Sequence, residues 1–271
     1  MVQYERPPTG SLQSNGRLAP AAEMIAQVDD AAVAKALVIP FQLPKISVVI
    51  PTLNEALNLP HVLPKIPIWV HEVIIVDGRS TDNTIEVARR QRSDVRIVLE
   101  RERGKGVALR AGFKAATGDI IVMLDADGSM NPDEIILLVG ALLAGADFVK
   151  GSRFVEGGGS TDLSVVRTLG NWGLTVATRI LYGCRFSDLC YGYIAFWTRV
   201  LPQLESTVVG FEIESLLCAR ALHYGLKITE VPSFESERLH GESNLRAFAD
   251  GWRVLTTIVR ERFASTAARA R

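Results

Sequence analysis

Hydrophobic and polar positions alternate along the chain in blocks that predict strands and helices in turn. Short apolar runs rich in Val and Ile predict β-strands over residues 46–50, 73–76, 95–99 and 120–124. Segments of helical pattern lie between these runs, such as residues 105–116, which Gly118 closes. This order of elements is typical of a mostly parallel α/β sheet with helices on both faces.

Polar residues after the first two strands are predicted to begin helices. Asn54 is typical of an N-cap, and Glu55 follows it in the first turn. Ser80 or Thr81 is predicted to cap a second helix that runs through Arg90. Both helices would then start directly at the ends of their strands.

Beyond residue 149 the pattern is less regular. Helices are predicted over residues 165–181, 211–224 and 245–263. Strands are predicted over residues 192–197 and 226–231. We expect this half of the chain to complete a site that the first half begins.

The composition divides the chain into three predicted parts. Residues 1–44 form an N-terminal extension, partly disordered because its start is rich in Pro, Gly, Ser, Gln and Asn. Residues 45–244 form the α/β domain. Residues 245–271 form a C-terminal amphipathic helix and tail, in which Phe248, Trp252 and Phe263 belong to one apolar stripe. This helix either packs on the domain or rests on anionic lipid.

The charge and the cysteine content indicate which classes of protein the chain is unlike. Thirty basic and thirty acidic residues cancel, so the net charge gives no reason to expect nucleic-acid binding. The three cysteines lack metal-site spacing and are typical of a reduced, cytoplasmic protein. We see neither a signal peptide nor an apolar segment of membrane-spanning length. Any membrane contact is therefore expected to be peripheral, at the cytoplasmic face.

Acidic residues follow the predicted strands. Asp125-Ala126-Asp127 comes directly after a buried apolar run, and Glu55 and Asp77 follow the first two strands. Ligands bind beyond the carboxyl ends of parallel strands, and carboxylates there suit a hard cation such as Mg²⁺ or Mn²⁺. An isolated Asp-x-Asp is also common in surface turns.

A glycine-rich turn precedes the helix that starts near residue 105. Residues 103–106 (Arg-Gly-Lys-Gly) allow close backbone approach and place a positive charge near a helix N-terminus. The turn lacks the P-loop pattern, and no G-x-G-x-x-G follows the first strand. These absences count against a P-loop ATPase and a dinucleotide dehydrogenase.

Five motifs in order carry a family resemblance. They are Ile-Pro-Thr-Leu-Asn-Glu (50–55), Val-Asp-Gly-Arg-Ser-Thr-Asp-Asn-Thr (76–84), Gly-Lys-Gly (104–106), Asp-Ala-Asp-Gly (125–128) and Gly-Ser-Arg-Phe (151–154). Over about residues 45–263 the chain resembles family 2 glycosyltransferases of the GT-A fold, above all polyprenol-phosphate (dolichol-phosphate) mannose or glucose synthases. The resemblance implies a UDP- or GDP-hexose donor, Mg²⁺ or Mn²⁺, inversion at the anomeric carbon and a polyprenyl phosphate acceptor.

The resemblance also implies roles for residues around the donor. The nucleoside pocket would be lined by Pro51, Asn54 and Glu55. Asp77 would hold the base or the ribose, and Lys105 would contact the donor.

Further residues would hold the metal and the diphosphate. Asp127 would be the direct metal ligand, with Asp125 binding nucleoside and metal, and His240 is a further candidate ligand. Arg238 would neutralise the departing diphosphate. Ser129 stands where related synthases often have Gln.

On the acceptor side, Arg153 and Arg167 would grip a phosphate. A soluble or glycan hydroxyl acceptor is the alternative, and it would need a base, for which Asp188 is the candidate. A catalytically silent nucleotide-sugar-binding protein is the alternative from another class. A homo-oligomer also stays open.

Overall fold

The computed structural model describes residues 43–241 and 246–269. The predicted N-terminal extension lies, up to residue 42, outside the described residues. The strands are β1 (Ile46–Thr52), β2 (Glu72–Asp77), β3 (Arg96–Leu99), β4 (Ile120–Met123), β5 (Phe148–Ser152), β6 (Gly159–Ser160), β7 (Ile194–Trp197), β8 (Ile228–Pro232) and β9 (Phe234–Glu235). The α-helices are α1 (Leu59–Val62), α2 (Thr84–Gln91), α3 (Lys105–Ala115), α4 (Ile135–Leu143), α5 (Val165–Tyr182), α6 (Leu201–Leu204), α7 (Ile213–His223) and α8 (Ala247–Arg269).

The main sheet within the described residues has seven strands in the order β3-β2-β1-β4-β7-β5-β8. Strand β7 runs antiparallel to its neighbours β4 and β5, and the other pairs are parallel. Strands β6 and β9 form a separate parallel pair. The predicted fold class, a mostly parallel α/β sheet flanked by helices, is confirmed.

The core lies on both faces of the sheet. Successive residues of a strand point to opposite faces, so Val48 packs in one apolar cluster and Val49 in the other. Helix α4 covers the first face, and helices α3 and α7 cover the second. Central strands buried on both faces read as continuous apolar runs, which is why β1, β2 and β4 were visible in the sequence.

The loops after β1 and β2 differ from the prediction. Asn54 is not an N-cap: its φ is +59°, a left-handed conformation, and its Oδ1 accepts a hydrogen bond from the Thr81 backbone N–H at 2.7 Å. Ser80 is not a cap either, because its Oγ accepts from the Asn54 backbone N–H at 2.9 Å. The two loops bond to each other, and the helices begin later, at Leu59 and Thr84.

Strand β5 was missed by the sequence pattern. It contains Lys150, which is fully buried and donates to the Tyr191 carbonyl, and Gly151 follows it. The lysine and the glycine interrupt the apolar run that would have predicted a strand, although β5 is a buried strand between β7 and β8. The helix predicted over residues 165–181 is confirmed as α5.

Helix α8 packs on the second apolar cluster through only part of the predicted stripe, since Leu255 and Val259 contact that cluster. Val254 and Ile258 are buried against the second apolar cluster, whereas Phe248, Trp252 and Phe263 are exposed. Among the described residues, no helix has the length and apolar character needed to cross a bilayer.

Candidate active site

Two adjoining cavities open beyond the carboxyl ends of β1, β2 and β4. The first has a volume of about 250 Å³, and its lining includes the predicted residues Pro51, Glu55, Lys105, Asp125, Asp127 and Arg238. The second has a volume of about 380 Å³, and its lining includes Arg153 and Arg167. Both cavities share Lys105, Asp125, Asp127 and Arg238. The strand-end acids therefore stand at the boundary between two spaces.

Asp127 is held by both a cation and a hydroxyl. Its Oδ2 lies 3.0 Å from Nη2 of Arg238, whose Nη1 lies 3.3 Å from Oε1 of Glu55. Its Oδ1 accepts from the Ser129 backbone N–H at 3.0 Å and from the Ser129 hydroxyl at 2.7 Å. Ser129 therefore orients the carboxylate that the resemblance assigns to the metal.

The segment carrying Arg238 is tied to the strand-end loops. The Leu239 backbone N–H donates to the Asp127 carbonyl at 3.2 Å. Asn58 Nδ2 donates both to Oε2 of Glu55 and to the His240 carbonyl. Burial raises the pKa of Glu55, and the bonds from Asn58 and Arg238 oppose that rise.

Lys105 joins Asp125 to a residue that the sequence did not single out. Its Nζ lies 2.7 Å from Oδ1 of Asp125 and 2.6 Å from Oε1 of Glu214, which stands in the first turn of α7. Burial acts to lower the pKa of Lys105, but the two carboxylates outweigh it and the pKa is raised. Burial raises the pKa of Asp125 to about 6, with Lys105 opposing the rise.

Arg153, Asp188 and Glu235 form a buried network in the wall of the second cavity, which Arg153 and Glu235 line. Nε and Nη2 of Arg153 donate to the two oxygens of Asp188 at 2.7 and 2.9 Å, and Nη1 donates to Glu235 at 2.9 Å. Burial alone would raise the pKa of Asp188, but its bonds to Arg153 outweigh burial and the pKa is lowered. Asp188 is fully buried with both oxygens bonded, so the structure does not present it as a free base.

Arg167 lines the second cavity, whereas Asp77 lines neither cavity. Arg167 lies in the first turn of α5, and its Nη1 is 2.6 Å from Oδ2 of Asp162, which also lines the second cavity. Asp77 Oδ2 accepts from the backbone N–H groups of Arg79 and Ser80. Its Oδ1 is buried and has no hydrogen-bond partner in the described part of the chain, which is unusual for a carboxylate.

Four predicted site residues do not line either cavity: Asn54, Asp77, Asp188 and His240. Asn54 does not line either of them, and its side chain faces Thr81. His240 is exposed, and its ring lies 5.9 Å from the ring of His61. Over residues 43–241 and 246–269, no cluster of three or more His, Cys, Asp or Glu residues has metal-binding geometry. The position of His240 does not favour its predicted metal role.

Comparison with known proteins assigns the chain to a family. Residues 47–202 match the profile described as Glycosyl transferase family 2. The chain belongs to this family. It is a glycosyltransferase, as the motifs predicted.

Curated relatives of this glycosyltransferase are identical to it at about a third of the positions in the matched region. It is 34% identical over 215 residues to an undecaprenyl-phosphate mannosyltransferase of Micrococcus luteus, covering 74% of this chain and 87% of that protein. It is 32% identical to a polyprenol monophosphomannose synthase of Mycolicibacterium smegmatis, covering 73% of this chain and 80% of that protein. A dolichol-phosphate mannosyltransferase of Pyrococcus furiosus is 34% identical, but the match spans only 59% of its length and 74% of this chain.

Solved structures agree with the GT-A fold. The glycosyltransferase superposes on glucosyl-3-phosphoglycerate synthase from Mycobacterium tuberculosis, crystallised with Mg²⁺ and uridine diphosphate. The TM-score is 0.65 at 27% identity, covering 81% of this chain and 79% of that one. A complex of the same synthase with phosphoglyceric acid has a TM-score of 0.66 at 28% identity, with 80% of each chain covered.

Sequence reasoning missed three residues that shape this site. Glu214 and Glu235 are buried acids that bond Lys105 and Arg153, and each is distant in sequence from its partner. Ser129 was noted only as a departure from relatives. Its position two residues after Asp127 was the available signal, because Asp side chains often accept from the N–H two residues on.

Proposed function

We propose that this glycosyltransferase moves a hexose from a nucleotide-sugar to polyprenyl phosphate, with inversion at the anomeric carbon and a bound Mg²⁺ or Mn²⁺. The observation that carries the proposal is the pair of cavities sharing Asp125, Asp127 and Arg238. A donor in one cavity and a phosphate in the other would meet at these residues. Relatives named for dolichol, undecaprenyl and polyprenol phosphates support this acceptor class.

The first cavity suits the nucleoside diphosphate. Pro51 and Glu55 line it, and the unpartnered Oδ1 of Asp77 beside it would accept from a base or a ribose hydroxyl. Leaving a buried acceptor unpaired costs about 1–3 kcal/mol, which a bound nucleoside would recover. Lys105 would contact the diphosphate from the helix N-terminus of α3.

The residues present fit a divalent cation at Asp127. Its carboxylate is a hard oxygen ligand and already attracts a cationic group, Arg238, at 3.0 Å. Asp125 is engaged by Lys105 at both oxygens, so we assign it to the nucleoside side rather than to direct metal contact. When bound, the metal would neutralise charge on the diphosphate.

Transfer would proceed by direct displacement. An acceptor phosphate oxygen would form the new bond to the anomeric carbon while the bond to the donor diphosphate breaks, and attack from the opposite side inverts the carbon. The electron pair of the broken bond stays on the departing diphosphate, where Arg238 would stabilise it. A phosphate is already anionic at neutral pH, so this acceptor needs little help from a base.

The second cavity suits an acceptor phosphate better than a hydroxyl. Arg167 lines it half exposed, and Arg153 forms its wall. A hydroxyl acceptor would require Asp188 as base, yet both oxygens of that buried carboxylate are bonded to Arg153. We therefore propose that Asp188 positions Arg153 rather than removing a proton.

A donor and acceptor panel tests the proposal. Purified enzyme is incubated with radiolabelled UDP- and GDP-hexoses, with or without Mn²⁺, and with polyprenyl phosphate or phosphoglyceric acid as acceptor. We expect metal-dependent label in the lipid extract. Label in a soluble product alone would refute the lipid acceptor, and turnover unaffected by a chelator would refute the metal.

The Asp127→Asn variant serves as the site control. It keeps the size of the side chain but removes the charge that would hold the metal, so we expect transfer to be lost. Asp82→Asn alters an acid that bonds to Thr84 at the start of α2, outside both cavities, and should retain transfer.

A further inference from the structure

Phe211 lies at the junction of the cavities. Its side chain lines both the first and the second cavity, and it also lines a third cavity of about 690 Å³ that contains Lys105 as well. The first two cavities also share four charged residues: Lys105, Asp125, Asp127 and Arg238. Phe211 is therefore an apolar surface within a charged junction.

The ring of Phe211 does not belong to the core. Among the described residues, neither apolar cluster of the core includes Phe211, although Val208 and Ile213 on either side of it pack against the second cluster. The half-buried ring instead faces a cation, because Nζ of Lys105 lies 5.8 Å from its centroid. Core packing therefore does not explain why a large aromatic side chain stands here.

The glycine turn at the start of α3 holds the segment that leads to Phe211. The Gly106 backbone N–H donates to the Val209 carbonyl at 2.8 Å. A Cβ atom on Gly106 would lie 2.5 Å from the Val208 carbonyl oxygen, and one on Gly104 would overlap the Val209 carbonyl oxygen. A side chain at either glycine would therefore displace this segment.

Two further bonds hold the same segment. Nη1 of Arg110 donates to the Val208 carbonyl, and Oε1 of Glu212 accepts from the Gly210 backbone N–H at 3.2 Å. The backbone on both sides of Phe211 is thus fixed before any ligand binds. A ring held in this way loses little further conformational freedom on binding, which favours affinity.

We propose that Phe211 is the platform on which the donor hexose lies, with one face of the sugar against the phenyl ring. A pyranose carries hydroxyls around its edge and C–H groups on its faces, and C–H groups are attracted to the negative face of an aromatic ring. Charged groups of the junction would bond the hydroxyls. One of them is Glu214, which lines the second cavity 2.6 Å from Lys105.

This inference rests on the proposed function and gives Phe211 a positioning role in it. The anomeric carbon must lie between the departing diphosphate and the acceptor phosphate, so the hexose must occupy the boundary that the two cavities share. Phe211 is the apolar residue of that boundary. A platform there would orient the anomeric carbon, and transfer is sensitive to small displacements of reacting atoms.

Calorimetric titration of the full chain in the presence of Mn²⁺ tests the inference without turnover. UDP is compared with UDP-glucose, and GDP with GDP-mannose, so the members of each pair differ by the hexose. We expect Phe211→Ala to weaken binding of the nucleotide-sugar about tenfold and to leave binding of the nucleoside diphosphate unchanged. Phe211→Tyr keeps the ring and should bind both like the parent protein.

Two matched controls separate the platform from general damage. Tyr224, 52% exposed just beyond the end of α7, lines none of the three cavities, so Tyr224→Ala should bind every ligand like the parent protein. Gly106→Ala should weaken binding of the nucleotide-sugar by displacing the segment before Phe211. Gly140→Ala, where a Cβ would meet nothing within 4 Å, should not.

The outcomes separate this inference from the proposed function. Equal weakening of both members of a pair by Phe211→Ala would overturn the inference, because the ring would then act by covering Lys105. Unchanged binding of both would overturn it too. A parent protein that binds no member of either pair would contradict the proposed function and this inference with it. The expected binding pattern without transfer to polyprenyl phosphate would contradict the acceptor alone and support the platform.

Discussion

The site contains two arginine clusters that differ in burial: a hydrated cluster of Glu55, Asp127 and Arg238, and a dry cluster of Arg153, Asp188 and Glu235. The difference in burial predicts how each cluster responds to the loss of one member. Side chains of Arg238 and Asp127 are 24% and 14% exposed, and both line the two cavities. Side chains of Arg153 and Asp188 are 3% and 0% exposed; both oxygens of Asp188 accept from Arg153, which also donates to Glu235. A partly hydrated ion pair can exchange partners when a ligand binds. A fully buried pair cannot do so without a large cost in free energy.

The largest expected effect lies in the dry cluster. Asp188→Ala leaves the Arg153 guanidinium buried without its main counter-charge, which we expect to lower the free energy of unfolding by about 3–5 kcal/mol. Urea denaturation measures the change. The control, Arg199→Ala, breaks the exposed pair with Asp147 and should cost about 1 kcal/mol or less. Equal costs for the two variants would refute the contrast between clusters.

Arg238→Ala tests the hydrated cluster, where we expect a large loss of activity and a small loss of stability. Loss of a cation at the departing diphosphate should lower kcat about 10²–10³-fold, equivalent to about 2.7–4 kcal/mol. Its stability cost should stay near 1 kcal/mol because the side chain is partly exposed. Steady-state transfer kinetics and urea denaturation on one preparation give both values. Arg238→Ala could instead lower the stability while the folded protein still transfers at the normal rate. That result would mean that Arg238 stabilises the fold and not the departing diphosphate.

Sequence reasoning located the hydrated cluster better than the dry one, and topology explains why. Acids after parallel strands must gather at one sheet edge, so Glu55 and Asp127 were predictable neighbours. Nothing local joins Arg153 to Asp188 or to Glu235, because these contacts depend on how the antiparallel strand β7 and the later loops return to the sheet. Burial of Asp188 was equally invisible, which is why it was predicted as a base.

The fold was predictable where its pattern was continuous. The central strands are unbroken apolar runs. In β5 the buried Lys150 interrupts the run, so the sequence pattern did not predict this strand. Asn54 and Ser80 have the chemistry of N-caps, yet they bond across two loops. Tertiary hydrogen bonds therefore overrode local propensity at the edge of the candidate site.

Asp125, which lines the same cavities as the hydrated cluster, and Asp188 of the dry cluster should affect stability oppositely as pH changes. The pKa of Asp125 is raised to about 6 in the folded protein, so the unfolded chain loses its proton first and stability falls as pH rises from about 4 to 6. The pKa of Asp188 is lowered, so its contribution is present above its unfolded pKa and is lost as pH falls further. Denaturation of metal-free protein from about pH 2 to about pH 6 measures both, with effects on the order of 1 kcal/mol.

Substitution by asparagine identifies the carboxyl that causes each pH dependence of the free energy of unfolding. Asp125→Asn should reduce the fall in stability between about pH 4 and 6 to the part due to Glu55, whose pKa is also raised, and Asp188→Asn should leave the fall unchanged. Lys105→Met should move the fall to higher pH, because Lys105 opposes the raised pKa of Asp125. A fall of unchanged size in Asp125→Asn would assign the titration to another carboxyl.

Ser129→Ala is expected to have the smallest effect. It tests how Asp127 of the hydrated cluster is oriented. The variant removes the 2.7 Å hydroxyl bond to Asp127 but keeps the backbone N–H bond at 3.0 Å. An orienting group of this kind is worth about tenfold in metal affinity, so we expect Mn²⁺ binding to weaken by about that factor while stability changes by about 1 kcal/mol. Calorimetric titration of Mn²⁺ measures the affinity, and Ser129→Thr, which keeps the hydroxyl, should restore it. Unchanged affinity in Ser129→Ala would mean that the hydroxyl only closes the turn and that Asp127 is oriented by Arg238 alone.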